Sequence, residues 1–68
     1  MRYIMVISEY YRDDGAKANV VLRVDYYNIE FYNANGDIEE VESFKGKTLA
    51  YVEEAAENWV AGIKKNGV

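Results

Sequence analysis

The 68-residue chain contains no cysteine, no histidine and no proline. Without cysteine, neither a disulfide framework nor a thiolate metal site can form. Without histidine, the chain lacks the commonest general base and the commonest transition-metal ligand. No stretch of the sequence approaches the ~20 apolar residues that span a bilayer. These absences predict a non-enzymatic, cytoplasmic protein with no catalytic residues, no cofactor and no metal site.

The chain is instead rich in apolar and acidic residues. Half of its residues are hydrophobic and 15% are aromatic, and twelve acidic against eight basic residues leave a net charge of -4. This composition is typical of a folded domain and not of a disordered segment. We expect a single domain over residues 1–68. A domain of this size is marginally stable alone, so self-association would help to stabilise it.

Strand-like sequence fills the first two thirds of the chain. Residues 2–12 are rich in β-branched and aromatic types, which favours a strand. Asp14-Gly15 predicts a two-residue turn of type I′. This turn pairs Tyr11 with Ala18 in the next strand, and it places Tyr11 on the buried face and Tyr10 on the other.

The middle of the chain is expected to break into further strands. The alternation of apolar residues changes phase near Tyr26, which indicates a bend or an interruption around residues 25–28. Asn33 to Asp37 predicts a three-residue hairpin loop with Gly36 in the left-handed conformation. The strand that follows is acidic, so we expect it at an edge of the sheet. The expected strand bounds are 2–12, 17–25, 28–33 and 37–44.

The last third of the chain has helical periodicity. Apolar residues recur at three- and four-residue spacing, which predicts a helix over 48–65 with Thr48 as its N-cap. The predicted fold is therefore α+β: an antiparallel meander of three or four strands with one C-terminal helix packed on one face. Trp59 is expected at the centre of the sheet–helix contact. The expected core consists of Tyr3, Met5, Ile7, Val20, Leu22, Val24, Ile29, Phe31, Val41, Leu49, Val52, Ala56, Trp59 and Ile63.

Three motifs suggest chemistry, and each has a simpler structural explanation. Gly46-Lys47-Thr48 is similar to the end of a phosphate-binding loop, but Val41 stands where that motif needs glycine. The segment 33–37 has the wrong spacing for a calcium-binding loop. Two groups of glutamates are expected to form a solvated surface, with weak cation binding as the alternative. They are Glu39, Glu40 and Glu42, and Glu53, Glu54 and Glu57.

The face of the sheet that the helix leaves uncovered is the candidate interface. A helix is only ~10 Å wide, so it covers one face. The predicted register leaves an apolar patch with a basic rim on the other face, as is typical of interfaces. The patch comprises Ile4, Val6, Tyr10, Val21 and Tyr27, and the rim comprises Arg2, Arg12, Lys17 and Arg23. A second copy of the chain, a different protein or the bent strand itself could cover the patch. We therefore expect a non-catalytic protein-binding or self-associating accessory domain.

A nucleic-acid-binding sheet is the alternative function. Aromatic sheets can stack bases, and the basic rim could contact phosphates. The net charge of -4 argues against this alternative, because phosphate binding relies on clustered lysine and arginine. An enzyme is disfavoured, because no nucleophile–base pair or metal cluster can be assembled from these residues.

Short segments of the chain resemble known families. Gly46-Lys47-Thr48, Ala55-Ala56 and Trp59 resemble the strand-to-helix region of the HicB antitoxin family. The order of a strand meander and one helix resembles AP2-type and integrase-arm DNA-binding domains, which implies a nucleic-acid-binding sheet. The segment 42–62 resembles small uncharacterised proteins of marine cyanobacterial phages. That resemblance implies a phage source and no particular activity.

Overall fold

The computed structural model describes residues 5–62, which form a four-stranded antiparallel sheet and one helix. The strands lie in the order β1-β2-β3-β4, so each pairs with its neighbours in the chain. The elements are β1 (Met5–Tyr11), β2 (Lys17–Leu22), β3 (Tyr27–Tyr32), β4 (Ile38–Phe44) and α1 (Leu49–Val60). This architecture confirms the predicted α+β meander in its four-stranded form, with the C-terminal helix packed on one face.

The turn between β1 and β2 differs from the predicted one. The Arg12 N–H donates to the Ala16 carbonyl at 2.8 Å, so the loop has three residues and not two. Gly15 has a φ of 94°, whereas no described residue other than glycine has a positive φ. A type I′ turn would also force Asp14 to a positive φ. Asp14 instead keeps a negative φ, and its Oδ1 accepts the Ala16 N–H at 3.0 Å.

The longer loop moves the register of the hairpin by one residue. Tyr11 pairs with Lys17 and Tyr10 pairs with Ala18, so the predicted pairing of Tyr11 with Ala18 is wrong. Tyr10 consequently lies on the α1 side of the sheet, where it packs against the core. A β-bulge at Ile7 shifts the pairing again, which restores the predicted alternation at the start of β1.

A tight turn joins β2 to β3. The Arg23 N–H donates to the Tyr26 carbonyl at 2.8 Å, so Val24 and Asp25 form the tip. The expected interruption is therefore a hairpin turn. The second strand ends at Leu22 and not at residue 25, and the third begins at residue 27 and not at 28.

The second hairpin loop and the start of the helix are confirmed. Gly36 has a φ of 92° at the expected position of the loop. Thr48 is the N-cap, and its Oγ1 accepts the Tyr51 N–H at 3.1 Å. The helix ends at Val60, because Gly62 adopts a left-handed φ of 84°. The predicted end at residue 65 is wrong.

The core lies between α1 and the two central strands. Five of the predicted core residues are buried there, namely Val20, Ile29, Phe31, Val52 and Ala56. Ala18 is also fully buried, and Ile7 and Leu49 pack at the margin. The core assignment is wrong for Met5 and Val41, which are about half exposed, and for Val24. Tyr3 and Ile63 lie outside the described residues.

Trp59 packs at one end of the core and not at its centre. Val52 and Ala56 are the helix residues with no exposed surface. The Trp59 ring is 4.8 Å from the Phe31 ring, centroid to centroid, and the Arg12 guanidinium lies 4.6 Å from the Trp59 centroid. This stack joins the end of the helix to the β1–β2 turn.

Val52→Ala should lower the free energy of unfolding by about 2 kcal/mol, because it removes buried methyl groups and leaves a cavity. The same substitution at Val24, which is 83% exposed, should change that free energy by less than ~0.5 kcal/mol. Urea unfolding followed by circular dichroism measures both. Equal effects at the two positions would contradict the packing of α1 on the sheet.

Candidate functional site

The side of the sheet opposite α1 is called the open face, because no described helix covers it. The strand register arranges its side chains in three rows that cross all four strands. Neighbours within a row are ~4.8 Å apart and rows are ~6.6 Å apart. The lysine row is Tyr11, Lys17, Tyr32 and Ile38; the asparagine row is Glu9, Asn19, Glu30 and Val41; the valine row is Val6, Val21, Asn28 and Ser43.

Two tyrosine rings flank Lys17 in the lysine row. Its Nζ lies 5.8 Å from the ring centroid of Tyr11 and 5.2 Å from that of Tyr32. Both distances are within the range of cation–π attraction. The Lys17 ammonium has no hydrogen bond to any described residue, so its three donors are open to a partner.

The same tyrosines hold the two carboxylates of the asparagine row. The Tyr11 hydroxyl donates to Glu9 Oε1 at 2.8 Å, and the Tyr32 hydroxyl donates to Glu30 Oε1 at 2.8 Å. The hydrogen bond to Glu9, followed by the charge of that carboxylate, raises the pKa of Tyr11. Each carboxylate is thereby held in place while its second oxygen can still accept a hydrogen bond.

Two buried asparagines lie in the middle of the open face. Asn19 and Asn28 are only 6% and 8% exposed, and the Oδ1 of each has no hydrogen-bond partner among the described residues. The β2–β3 register makes them diagonal neighbours. An unpaired buried carbonyl costs about 1–3 kcal/mol, so this arrangement is unfavourable unless something compensates it.

Apolar side chains lie at both edges of the open face. Ile38 and Val41 on β4 are each about half exposed, and Tyr11 on β1 is 63% exposed. Val21 on the central strand is fully buried although α1 lies on the other side. Exposed apolar groups therefore surround a centre that is closed to solvent.

The predicted interface residues lie only partly on the open face. Val6 and Val21 are there, as predicted. Tyr10 and Tyr27 lie on the α1 side and pack against the core, so their assignment to the uncovered face is wrong. The three-residue loop places Tyr10 on the α1 side, and the pairing with Leu22 places Tyr27 there as well. Ile4 and Arg2 lie outside the described residues.

The predicted basic rim does not form on one face. Arg12 pairs with Asp14 at 2.9 Å and lies over Trp59, which places it on the α1 side. Arg23 lies in the turn between β2 and β3. Lys17 alone contributes a positive charge to the three rows of the open face.

A polar contact joins β1 to α1 on the covered side. The Ser8 Oγ donates to Glu53 Oε2 at 2.7 Å. Glu53 is partly buried in this contact, so its predicted place on the solvated face of the helix is wrong. Tyr10 lies beside this pair, and burial, followed by the charge of Glu53, raises the pKa of Tyr10.

The paired tyrosine–glutamate arrangement was not predicted, although the sequence carries a signal for it. The pattern Glu–aromatic–Tyr occurs at residues 9–11 and again at 30–32. On a strand this pattern places the glutamate and the tyrosine on one face and the middle aromatic on the other. Its occurrence on both neighbours of β2 creates the two symmetric flanks of Lys17.

The described residues contain no group of three or more acidic side chains placed to hold a metal ion. Within residues 5–62, no helix is long and apolar enough to cross a membrane. Comparison with protein-family models, curated proteins and solved structures finds no match to this chain. The resemblances to phage proteins and to the HicB and AP2-type domains therefore stay predictions.

Tyr10→Phe should make the protein less sensitive to alkaline pH. The folded-state pKa of Tyr10 is raised above the unfolded value of ~10, so its contribution to stability is complete below that pH. The contribution is lost as the pH rises through the folded-state pKa. Urea unfolding of both proteins at neutral pH and at several values above pH ~10 measures the difference. Identical alkaline losses would contradict the placement of Tyr10 against α1.

Proposed function

We propose that the protein is a small, non-catalytic accessory domain that binds a protein chain through its open face. The observation that carries this proposal is the set of exposed apolar side chains on this face, Tyr11, Ile38 and Val41, beside two carboxylates that tyrosine hydroxyls hold. A cytoplasmic location and a phage source, which the composition and the 42–62 segment predict, belong to the same proposal.

The energetic argument starts from the cost of leaving this face in water. A solvated sheet face carries mostly polar residues, whereas here Tyr11, Ile38 and Val41 expose apolar surface. A protein partner that removes water from these side chains gains from the hydrophobic effect. Tyrosines supply large contact area with little loss of conformational entropy, which suits them to such a surface.

The arrangement of the carboxylates supports binding over catalysis. Glu9 and Glu30 lie on β1 and β3, on either side of Asn19, and each accepts a hydrogen bond from a tyrosine. General acid–base catalysis by two carboxylates needs a shared cleft in which their pKa values are driven apart. Two carboxylates on separate strands of a sheet face are better suited to fixing the position of a partner.

Charge supports a protein partner over nucleic acid, the alternative of AP2-like architecture. Lys17 is opposed by Glu9 and Glu30 within the same two rows. Contact with phosphates needs an excess of positive charge along the binding surface. Arg12, the nearest further cation on β1–β2, is held on the other side by Trp59.

Site-specific photo-crosslinking tests this proposal. A benzoylphenylalanine in place of Tyr11 should crosslink to a protein chain, either in the purified protein or in a lysate of its natural cells. The matched control replaces Tyr51, which is 51% exposed on the α1 side. Crosslinking from position 11 but not from 51 is expected. Crosslinking from neither position, or equally from both, would contradict the proposal.

A further inference from the structure

We infer that the occupant of the open face is a second copy of this chain, docked about a two-fold axis between the lysine and asparagine rows. The inference rests on the proposed function and names its partner. It follows because, on each strand, the side chain in the lysine row complements the side chain in the asparagine row. The axis lies in the plane of the contact and runs across the strands, so each strand lies over the same strand of the second copy.

This axis places the lysine row of each copy over the asparagine row of the other. Each Lys17 then lies over the Asn19 of the second copy, midway between its Glu9 and Glu30. The ammonium with open donors meets the second oxygens of two carboxylates. The cation of one row thereby meets the anions of the other.

The apolar ends of the rows match in the same way. Ile38 ends the lysine row on β4, and Val41 ends the asparagine row on that strand. The axis stacks Ile38 of one copy on Val41 of the other, and both are about half exposed in the single chain. At the β1 end, each Tyr11 lies over the Glu9 of the second copy.

Other axes lose this match. An axis along the strands would place β2 over β3, with Lys17 over Tyr32 and Asn19 over Glu30. An axis through the asparagine row would place each Glu9 over the Glu9 of the second copy, and like charges in contact are destabilising. The inferred axis leaves the valine row outside the overlap, so the contact is small and polar and its affinity is weak.

Charge exchange tests the inferred contact. Lys17→Glu alone, and Glu9→Lys with Glu30→Lys in a second protein, should each weaken self-association roughly tenfold or more, because like charges then meet at both halves of the contact. An equimolar mixture should restore association, because the introduced Glu at position 17 meets the two introduced Lys, and the other half keeps native charges. Sedimentation equilibrium of each protein and of the mixture measures this.

A second pair of variants keeps the contact testable if a charge-exchange variant fails to fold. Val41→Glu should weaken self-association, whereas Val24→Glu, at an exposed turn on the same chain, should not. Thermal unfolding by circular dichroism confirms that each variant is folded.

A mixture that stays monomeric while the unmodified protein associates would overturn the inferred axis. An unmodified protein that is monomeric at all concentrations would overturn the second copy as occupant. In that case the proposed function would survive if position 11 still crosslinked to a different chain, and it would fail if position 11 crosslinked to none.

Discussion

A helix about 10 Å wide shields one face of a four-stranded sheet, and α1 is the only described element available to do so. The covered face can therefore be packed as a core, with Val52 and Ala56 at its centre. The other face must be stable either in contact with water or in contact with a partner. Hydrogen-bonded carboxylates and a lysine between two tyrosine rings help to stabilise this face, whereas the unpaired oxygens of the two buried asparagines destabilise it.

The β1–β2 loop decides which side chains reach each face. Three loop residues with Gly15 at positive φ place Tyr10 against the helix and Tyr11 on the open face. A two-residue loop would exchange them, since side chains alternate along a strand. The bulge at Ile7 then keeps an apolar residue against the core although the register has moved. One loop residue thereby positions both the Ser8–Glu53 contact and the Tyr11–Glu9 pair.

Local sequence signals predicted the fold better than the face assignments. The periodicity of α1, the cap at Thr48 and the left-handed Gly36 depend on neighbouring residues, so the sequence reveals them. The choice between two- and three-residue loops depended on whether Asp14 would adopt a positive φ or bond the Ala16 amide. The sequence Asp-Gly is compatible with both loop lengths. The wrong choice of loop therefore also put Tyr10 on the wrong face of the sheet. The burial of Asn19 and Asn28 depends on tertiary packing, which no local pattern encodes.

The central claim is that the chain associates through its open face, and the side-chain amides of three asparagines test it most directly. In the inferred contact Asn19 lies under the second copy, Asn28 lies in the valine row outside the overlap, and Asn58 lies on α1. Dilution from millimolar to low micromolar concentration, followed by NMR, should shift the Asn19 amide resonances most, Asn28 less and Asn58 not at all. Resonances that do not move on dilution, or that move most at Asn58, would contradict the account.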